Sequence, residues 1–214
     1  MMDNEPILLN LGEKYPGLLS VLDPLAVAAS AIINSFTAGG KLLVCGNGGS
    51  CSDSDHIVGE LMKGFEKKRP IGEDLKAGFE AIDHERGRYI ADRLQQGLPA
   101  LSLATHSALT TAIGNDIDPT LVFAQQVAGY GQKGDILIGI STSGNAQNVI
   151  DALITAQAKG MITIGLTGQS GGRMKPFCDI LINVPGNCPA DVQEYHLPVY
   201  HALCKIVENH FFTI

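Results

Sequence analysis

The sequence has no pairing pattern among its cysteines and no long basic tract. Its five cysteines are an odd number without CxxC spacing, which favours reduced thiols over a disulfide framework. Lysine and arginine total 15 against 22 acidic residues, so the formal net charge is −7. Affinity for nucleic acid depends largely on basic residues that release counterions. We therefore expect no nucleic-acid partner, and a bound phosphate group would be held by backbone N–H groups and hydroxyls.

A targeting segment and a long apolar run are also absent. Residues 1–17 open acidic, without the basic n-region and unbroken apolar h-region of a secretory signal. The longest apolar run, residues 25–33, covers about half of the ~20 residues that a membrane span requires. We interpret this run as a core helix and expect a cytoplasmic protein without a membrane partner.

Short apolar runs alternate with helical stretches along the chain. Five runs are predicted to be strands: KLLVC (41–45), LSLAT (101–105), DILIGI (135–140), ITIGLTG (162–168) and DILINVP (179–185). Continuous apolar strands that alternate with helices indicate an α/β fold with a parallel sheet covered on both faces. Ligands of such sheets bind beyond the carboxyl ends of the strands.

Helices are predicted at both ends of the chain and inside one insertion. Asp23 is predicted to cap a helix that ends at about residue 39. Residues from about 71 to 100 are charged and helix-periodic, which indicates an insertion with its own helix, either a lid or an oligomer contact. After Pro189 one long helix is predicted, interrupted at Pro198 because proline lacks a backbone N–H. Residues 1–214 are assigned to a single domain.

Two polar loops follow predicted strands. GNGGS (46–50) lacks the glycine that a dinucleotide fingerprint needs at Cys51 and the lysine that a P-loop needs at Ser52. The helix after this loop still offers free N–H groups and a dipole that favour anions, unless the glycines only tighten the turn. STSGN (141–145) supplies three hydroxyls after a second strand. Two such loops at one sheet edge favour a phosphate site.

Four further polar residues lie on two separate helices. His56 and Glu60 are four residues apart, so they face the same side of the first helix. Gln193 and His201 are eight apart on the last helix, loosely on one side. The alternatives are an exposed i,i+4 pair in the first case and a buried core histidine in the second. These spacings alone do not bring the two helices together.

Several motifs resemble one known family in order and spacing. They are GNGGS…HIVGEL (46–61), GND (114–116), GISTSGN (139–145), LTGQSGG (166–172) and DVQEYHLPVYH (191–201). From about residue 23 to 212, outside the insertion, the chain resembles the SIS (sugar isomerase) family, and most closely its bacterial phosphoheptose isomerases. The resemblance implies a three-layer αβα sandwich with a five-stranded, flavodoxin-like parallel sheet. It also implies a homotetramer whose sites are shared between subunits.

The resemblance assigns site residues as well. A zinc ion is expected at His56, Glu60, Gln193 and His201. Substrate contacts are expected from Asn47, Gly48, Gly49, Ser50, Glu60, Asn115, Asp116, Ser141, Thr142, Ser143 and Gln193. A glutamine carbonyl is an unusual zinc ligand, so Gln193 is expected mainly to orient the substrate.

The implied reaction is an aldose–ketose isomerisation of a phosphosugar, namely sedoheptulose 7-phosphate to D-glycero-D-manno-heptose 7-phosphate. A proton moves between C1 and C2 through an enediol, with Glu60 as the base at carbon and His201 as the acid/base at oxygen. Zinc would polarise the carbonyl. Where the family commonly has a further serine this chain has Ala146, which removes one phosphate hydroxyl.

Two alternatives to this reaction are compatible with the same fold. The first is an isomerase of another ketose phosphate. The second is a non-catalytic SIS protein that binds a phosphosugar or the replication initiator DnaA. Such non-catalytic members lack the glutamate and the last histidine of the catalytic set, whereas Glu60 and His201 are both present here. An enzyme is therefore the favoured prediction.

Overall fold

The computed structural model describes residues 5–186 and 188–212, in which helices and strands alternate as predicted. The strands are β1 (Leu42–Gly46), β2 (Ala100–Ser102), β3 (Ile136–Ser141), β4 (Ile162–Thr167) and β5 (Ile180–Asn183). The α-helices are α1 (Glu5–Lys14), α2 (Leu22–Thr37), α3 (Gly49–Met62), α4 (Glu73–Ile82), α5 (His84–Ala91), α6 (Ser107–Asp116), α7 (Val122–Tyr130), α8 (Gln147–Ala158) and α9 (Pro189–Phe211). Every predicted strand run contains a strand. The strand β2 is shorter than its run because the Thr105 hydroxyl donates to the Ser102 carbonyl and the chain turns there.

The five strands form one parallel sheet in the order β2-β1-β3-β4-β5. The chain passes from β1 to the β2 edge and then crosses back to β3, so the strand order reverses between β1 and β3. In a doubly wound sheet, this reversal opens a crevice at the carboxyl ends of the two strands. The predicted five-stranded α/β sandwich is confirmed, and both polar loops begin at this crevice.

Alternate residues of the strands bury their side chains in two separate cores. In β1, Leu42 and Val44 pack in one cluster with residues of α1, α2, α3 and α9. Leu43 and Cys45 point to the other face, where α6, α7 and α8 cover the sheet. All five residues of β1 are buried, as a strand covered on both faces requires. Helices α3 and α9, which carry the histidine candidates, therefore lie on the same face.

The helix that was predicted to begin at Asp23, α2, differs from the prediction at its start. Residues Pro16–Val21 already form a 3-10 turn, and Val21 rather than Asp23 stands at the N-cap of α2 without a side-chain cap. The predicted cap at Asp23 is wrong because the chain is helical before this residue. The helix α1 was not predicted.

The continuous helical stretch Pro16–Thr37 is long and apolar enough to cross a membrane by length and composition, with a mean hydropathy of 1.7. This stretch is longer than the apolar run seen in the sequence because the 3-10 turn extends it. The α2 part nevertheless packs in the core, where Leu25, Ala28 and Ile32 are fully buried. A buried core helix passes the same length test, so the packing favours the predicted core helix.

The insertion contains two helices instead of one. Helices α4 and α5 form a hairpin, and the Asp83 side chain caps α5 by accepting a hydrogen bond from the Arg86 amide at 2.7 Å. No residue of α4 is buried, and the two helices pack mainly on each other. We call this unit, residues 73–91, the α4–α5 hairpin.

The final helix continues through Pro198, so the predicted interruption is wrong. Val199 and Leu203 after the proline are buried, and α9 packs against α2 and α3. This packing holds the helix together where one backbone hydrogen bond is missing.

Candidate active site

The loop after β1 needs glycine for two physical reasons. Gly48 has φ +57°, a backbone conformation that favours glycine, and it stands at the N-cap of α3. Gly49 faces the last helix so closely that an added methyl group would overlap the side-chain amide of Gln193. Ser50 is buried in the first turn of α3. The Ser50 amide donates to the Asn47 carbonyl and the Cys51 amide to the Gly48 carbonyl, so the loop closes on itself, with Gln193 as its opposite wall.

The loop after β3 is held by its own hydrogen bonds. The Gly144 amide donates to the Ser141 carbonyl at 3.0 Å, and the Asn145 amide donates to the Ser143 hydroxyl at 3.2 Å. Ser141 is buried, Thr142 is half-buried and Ser143 is exposed. The hydroxyls of this loop thus lie at the edge of the sheet, beside the start of α8.

A pair of side-chain amides joins the two loops. Asn47 donates to Asn148 at 2.8 Å, and Asn148 donates back to Asn47 at 2.9 Å. This reciprocal pair spans the crevice between β1 and β3. Asn47 was predicted as a site residue and Asn148 was not, because a single asparagine early in a helix carries no signal for a partner 101 residues away.

A cleft of about 370 Å³ opens beside the second loop. Its walls come from the carboxyl ends of β3 and β4 and from the start of α9. The lining residues are Thr142, Ser143, Asn145, Gly168, Gln169, Ser170, Gly186, Cys188, Pro189 and Val192. No lysine or arginine is among these residues, so an anion in the cleft would be bound by hydroxyls, amides and backbone N–H groups. Gln169 and Ser170 were quoted in a motif but not predicted as contacts.

His56 is the centre of a cluster between α3 and α9. Its Nε2 atom lies 3.1 Å from Glu60 Oε1 and 3.4 Å from His201 Nε2. Burial and the neighbouring His56 lower the pKa of His201 below its ordinary value. The structure thus brings three of the four predicted metal ligands into contact, across the two helices that the sequence pattern left apart.

The other ring nitrogen of His56 has its own partners. Its Nδ1 atom lies 2.9 Å from the Tyr200 hydroxyl, which lies 3.3 Å from Asp53 Oδ1. Tyr200 is only 1% exposed. Its pKa is raised above the ordinary value, mainly by burial and to a smaller extent by the nearby Asp53. Neither residue was predicted, because a tyrosine in an apolar helix is indistinguishable by sequence from a core residue.

Two basic residues hold Glu60 in place, one at its side chain and one at its backbone carbonyl. The exposed Lys63 donates to Glu60 Oε2 at 3.1 Å. The Arg69 guanidinium donates to the Glu60 backbone carbonyl at 3.0 Å and forms an ion pair of 2.7 Å with Glu208 of α9. Both side chains of this ion pair are fully buried. Burial raises the pKa of Glu208, but the Glu66 and Phe65 amides and Arg69 outweigh it, so the pKa is lowered.

The spacing of the donor atoms around His56 can be compared with the geometry of a zinc site. Zinc–nitrogen bonds of about 2.0–2.1 Å in a tetrahedron place neighbouring ligand atoms about 3.3 Å apart. The 3.1 Å and 3.4 Å separations around His56 Nε2 agree with this spacing. In residues 5–186 and 188–212, no group of three or more histidine, cysteine, aspartate and glutamate side chains forms a ready-made metal cluster. The chemistry of His56, Glu60 and His201 and the two separations around His56 Nε2 fit zinc, whereas Gln193 does not lie within this cluster.

Three predicted residues lie apart from this cluster. The Gln193 amide lies at Gly49, about 12 Å along α9 from His201 at 1.5 Å per residue. Asn115 and Asp116 are exposed at the end of α6, where Asn115 donates to Asp116 at 2.8 Å. Within the part of the chain that the structure describes, neither of these two side chains hydrogen-bonds to the 46–50 loop or to His56.

Comparisons with known proteins identify the family of this chain. A family model described as SIS domain matches residues 84–168. The phosphoheptose isomerase of Maridesulfovibrio salexigens is 40% identical over 184 residues, which are 86% of this chain and 77% of that protein.

Two solved structures are similar over nearly the whole chain. A phosphoheptose isomerase from Neisseria gonorrhoeae has a TM-score of 0.73 at 32% identity and covers 94% of this chain and 93% of its own. One from Francisella tularensis has a TM-score of 0.74 at 30% identity, with 98% and 100% coverage. Given this sequence identity, this coverage and the shared five-stranded sheet, the chain belongs to the phosphoheptose isomerase family of SIS-domain proteins.

Proposed function

We propose that the protein is an aldose–ketose isomerase that converts sedoheptulose 7-phosphate to D-glycero-D-manno-heptose 7-phosphate. The observation that carries this proposal is the contact of the Glu60 carboxylate and the His201 imidazole with one atom, His56 Nε2. A carboxylate and an imidazole at one point can move a proton at carbon and a second proton at oxygen. Family membership supports the same reaction.

The phosphate end of the substrate would bind at the two loops. Thr142 and Ser143 line the cleft, and α3 and α8 both begin at the same edge of the sheet, where the helix dipoles favour an anion. His56 lies seven residues into α3 from Gly49, a rise of about 10 Å. An extended phosphosugar therefore suits this site, with its phosphate at the loops and its carbonyl near His56.

The proton transfers are assigned to two side chains. Glu60 acts as the base that moves the proton between C1 and C2. His201 exchanges a proton between the two substrate oxygens, because an imidazole ring carries one nitrogen that can donate a proton and one that can accept it. Gln193, beside the glycine loop, orients the sugar chain between these residues and the cleft.

A zinc ion would be held by His56, Glu60 and His201, with the Gln193 carbonyl as a fourth ligand only after its side chain has moved. When bound, zinc supplies Lewis acidity that polarises the substrate carbonyl and stabilises negative charge on its oxygen. Glu60 can serve two roles because its carboxylate has two oxygens, with Oε1 toward His56 and Oε2 toward Lys63.

The assembly and location belong to the same proposal. A homotetramer would explain why the exposed Asn115 and Asp116 lie apart from the cluster, because these residues could complete the site of a neighbouring subunit. A cytoplasmic location suits a phosphosugar substrate, and the net charge of −7 argues against nucleic acid as a partner.

A panel of ketose phosphates, assayed with and without added zinc, tests the reaction. We expect turnover of sedoheptulose 7-phosphate, and Glu60→Gln should lower kcat/KM by about 10²–10⁴ with the circular dichroism spectrum unchanged. Glu80→Gln on the α4–α5 hairpin is the matched control and should leave kcat/KM unchanged. Absence of turnover on the whole panel, with phosphosugar binding retained, would favour the non-catalytic alternative. Zinc content of the purified protein tests the metal separately.

A further inference from the structure

We propose that Phe65 is a positioning residue that holds the imidazole ring of His201 in the orientation used for proton transfer. The inference rests on the proposed function only in giving His201 its part in the reaction. Phe65 lies in the segment that follows α3, residues 63–70, and it belongs to neither the expected ligand set nor the expected substrate contacts.

The His201 ring has aromatic neighbours on one side and a cleft on another. Its centroid lies 5.0 Å from that of His56 and 5.3 Å from that of Phe65. Both separations are within the range of about 4.5–7 Å in which aromatic rings attract each other. His201 also lines a cleft of about 400 Å³ between α1 and α9, together with Leu197 and Pro198. This cleft leaves room for the ring to turn away from His56, so the Phe65 contact restricts the ring to its observed orientation.

The backbone of Phe65 is fixed by a buried carboxylate. Glu208 Oε1 accepts a hydrogen bond from the Phe65 amide and Oε2 accepts one from the Glu66 amide, both at 2.8 Å. Arg69 donates to Oε1 as well, at 2.8 Å. Hydrogen bonds to a charged acceptor are stronger than those between neutral groups. These bonds fix a segment that belongs to no helix or strand, so the Phe65 ring has a fixed base from which to contact His201.

One face of α9 makes all the contacts that hold the Phe65 ring and its backbone to this helix. His201, Lys205 and Glu208 are spaced i, i+4 and i+7, so they lie on the same face. The Lys205 ammonium lies 5.6 Å from the centroid of the Phe65 ring, within cation–π range, and it also forms an ion pair with Glu66. Phe65 is therefore in contact with two side chains one helical turn apart, and its position is tied to that of α9.

The order of the His201 ring tests the inference without turnover. NMR relaxation of the histidine ring carbons in metal-free protein measures it, with the His201 signal assigned by its loss in His201→Gln. We expect an order parameter of about 0.85 in the native protein, as in a rigid backbone. Phe65→Leu removes the flat aromatic face, so the value should fall below about 0.6. Phe211→Leu is the matched control, because Phe211 is also partly buried and packs against another ring, Phe36, and it should leave His201 ordered.

Turnover of sedoheptulose 7-phosphate gives the second readout. A misplacement of about 1 Å can cost about 10²-fold in rate, so Phe65→Leu should lower kcat by about 10- to 100-fold. KM should change by less than about 2-fold, because the ring acts on proton transfer rather than on substrate binding. Phe65→Tyr keeps the aromatic ring and should restore both the order of His201 and kcat, and Phe211→Leu should leave kcat unchanged.

Three results would overturn the inference. They are an equally ordered His201 ring in the native protein and Phe65→Leu, an equal loss of order in Phe211→Leu, and an unchanged kcat per folded molecule in Phe65→Leu. The last result would mean that Phe65 only fills space. Native protein without isomerase activity, whose His201 ring nevertheless becomes mobile in Phe65→Leu, would contradict the proposed function and leave the positioning of His201 by Phe65 standing.

A second variant guards against a folding defect in Phe65→Leu. The bonds to Glu208 come from backbone amides, so they do not depend on the side chain at position 65. If circular dichroism still shows that Phe65→Leu is unfolded, Phe65→Met takes its place, because methionine adapts to irregular gaps. Its flexible side chain has no flat face, so His201 should again become mobile. An ordered His201 ring in Phe65→Met would overturn the inference.

Discussion

Two helix pairs in this molecule are built in opposite ways. Helices α3 and α9 lie far apart in the sequence and pack on the same sheet face. They are joined through the buried Arg69, which follows α3, donates to the Glu60 carbonyl and forms an ion pair with Glu208 of α9. Helices α4 and α5 are neighbours in the sequence, pack on each other and are joined by the exposed Arg88–Glu80 pair at 3.6 Å. The first pair positions the candidate active site, and the second carries no predicted site residue.

The difference shows where this fold requires fixed geometry. The contacts around His56 depend on side chains from both α3 and α9, so a small shift between the two helices would separate them. The α4–α5 hairpin has no such requirement, and Ile82 is 87% exposed on its surface. Substitutions in the two regions should therefore lower the free energy of unfolding by very different amounts.

The largest expected difference concerns the two ion pairs. Arg69→Met would leave the fully buried Glu208 carboxylate without its cation, and breaking a buried pair typically costs about 3–5 kcal/mol in the free energy of unfolding. Arg88→Met is the matched change in the hairpin and should cost about 0–1 kcal/mol. Urea unfolding followed by circular dichroism measures both. Equal losses for the two variants would contradict the contrast between the regions.

A second difference concerns how a buried and an exposed histidine affect the pH dependence of the free energy of unfolding. Burial lowers the pKa of His196 in α9 to about 4, and a contact with the Thr167 backbone opposes this shift without reversing it. The unfolded chain, with an ordinary histidine pKa of about 6.5, binds this proton first, so stability falls as the pH drops from about 6.5 toward 4. The loss from this group approaches about 3 kcal/mol.

Replacement of His196 tests this pH dependence. His196→Leu should flatten the fall in the free energy of unfolding between about pH 6.5 and 4, because leucine takes up no proton. His84→Gln, at the exposed start of α5, should leave the slope as it is in the native protein. Parallel pH profiles for the native protein and His196→Leu would show that His196 does not cause the slope.

The smallest expected effect is in the apolar surface of the hairpin. Ile82→Ser removes a side chain that is 87% exposed, so the free energy of unfolding should change by no more than about 0.5 kcal/mol. Thermal unfolding at several protein concentrations measures this change. A larger loss that grows with protein concentration would mean that another copy of the chain covers the hairpin.

The parts of the fold that were predictable are those with local signals. Continuous apolar runs marked the strands, and the glycine and hydroxyl loops marked the crevice because both follow strands of one parallel sheet. The predicted start of the first long helix was wrong because Asp23 follows residues that are already helical. Pro198 did not interrupt the last helix, since buried neighbours such as Val199 hold it in place.

The candidate site was predictable only in part, because its contacts cross between distant segments. His56 and Glu60 share a helix face, and their spacing is visible in the sequence. The contacts of His56 with Tyr200 and of Asn47 with Asn148 join residues 144 and 101 positions apart, for which one sequence holds no signal. Family resemblance supplied His201 and Gln193, and the structure places only the first of these at His56.

The distance along the chain between His56 and His201 has a consequence for folding. The two residues are 145 positions apart, so their contact forms only after a long loop has closed. A partly folded chain that contains the sheet and α3 would already have the His56–Glu60 pair, which is local, but would lack His201. Contacts of such high sequence separation are slow to form. We therefore expect this cluster to assemble late, so that its appearance during refolding would report that the last helix has docked.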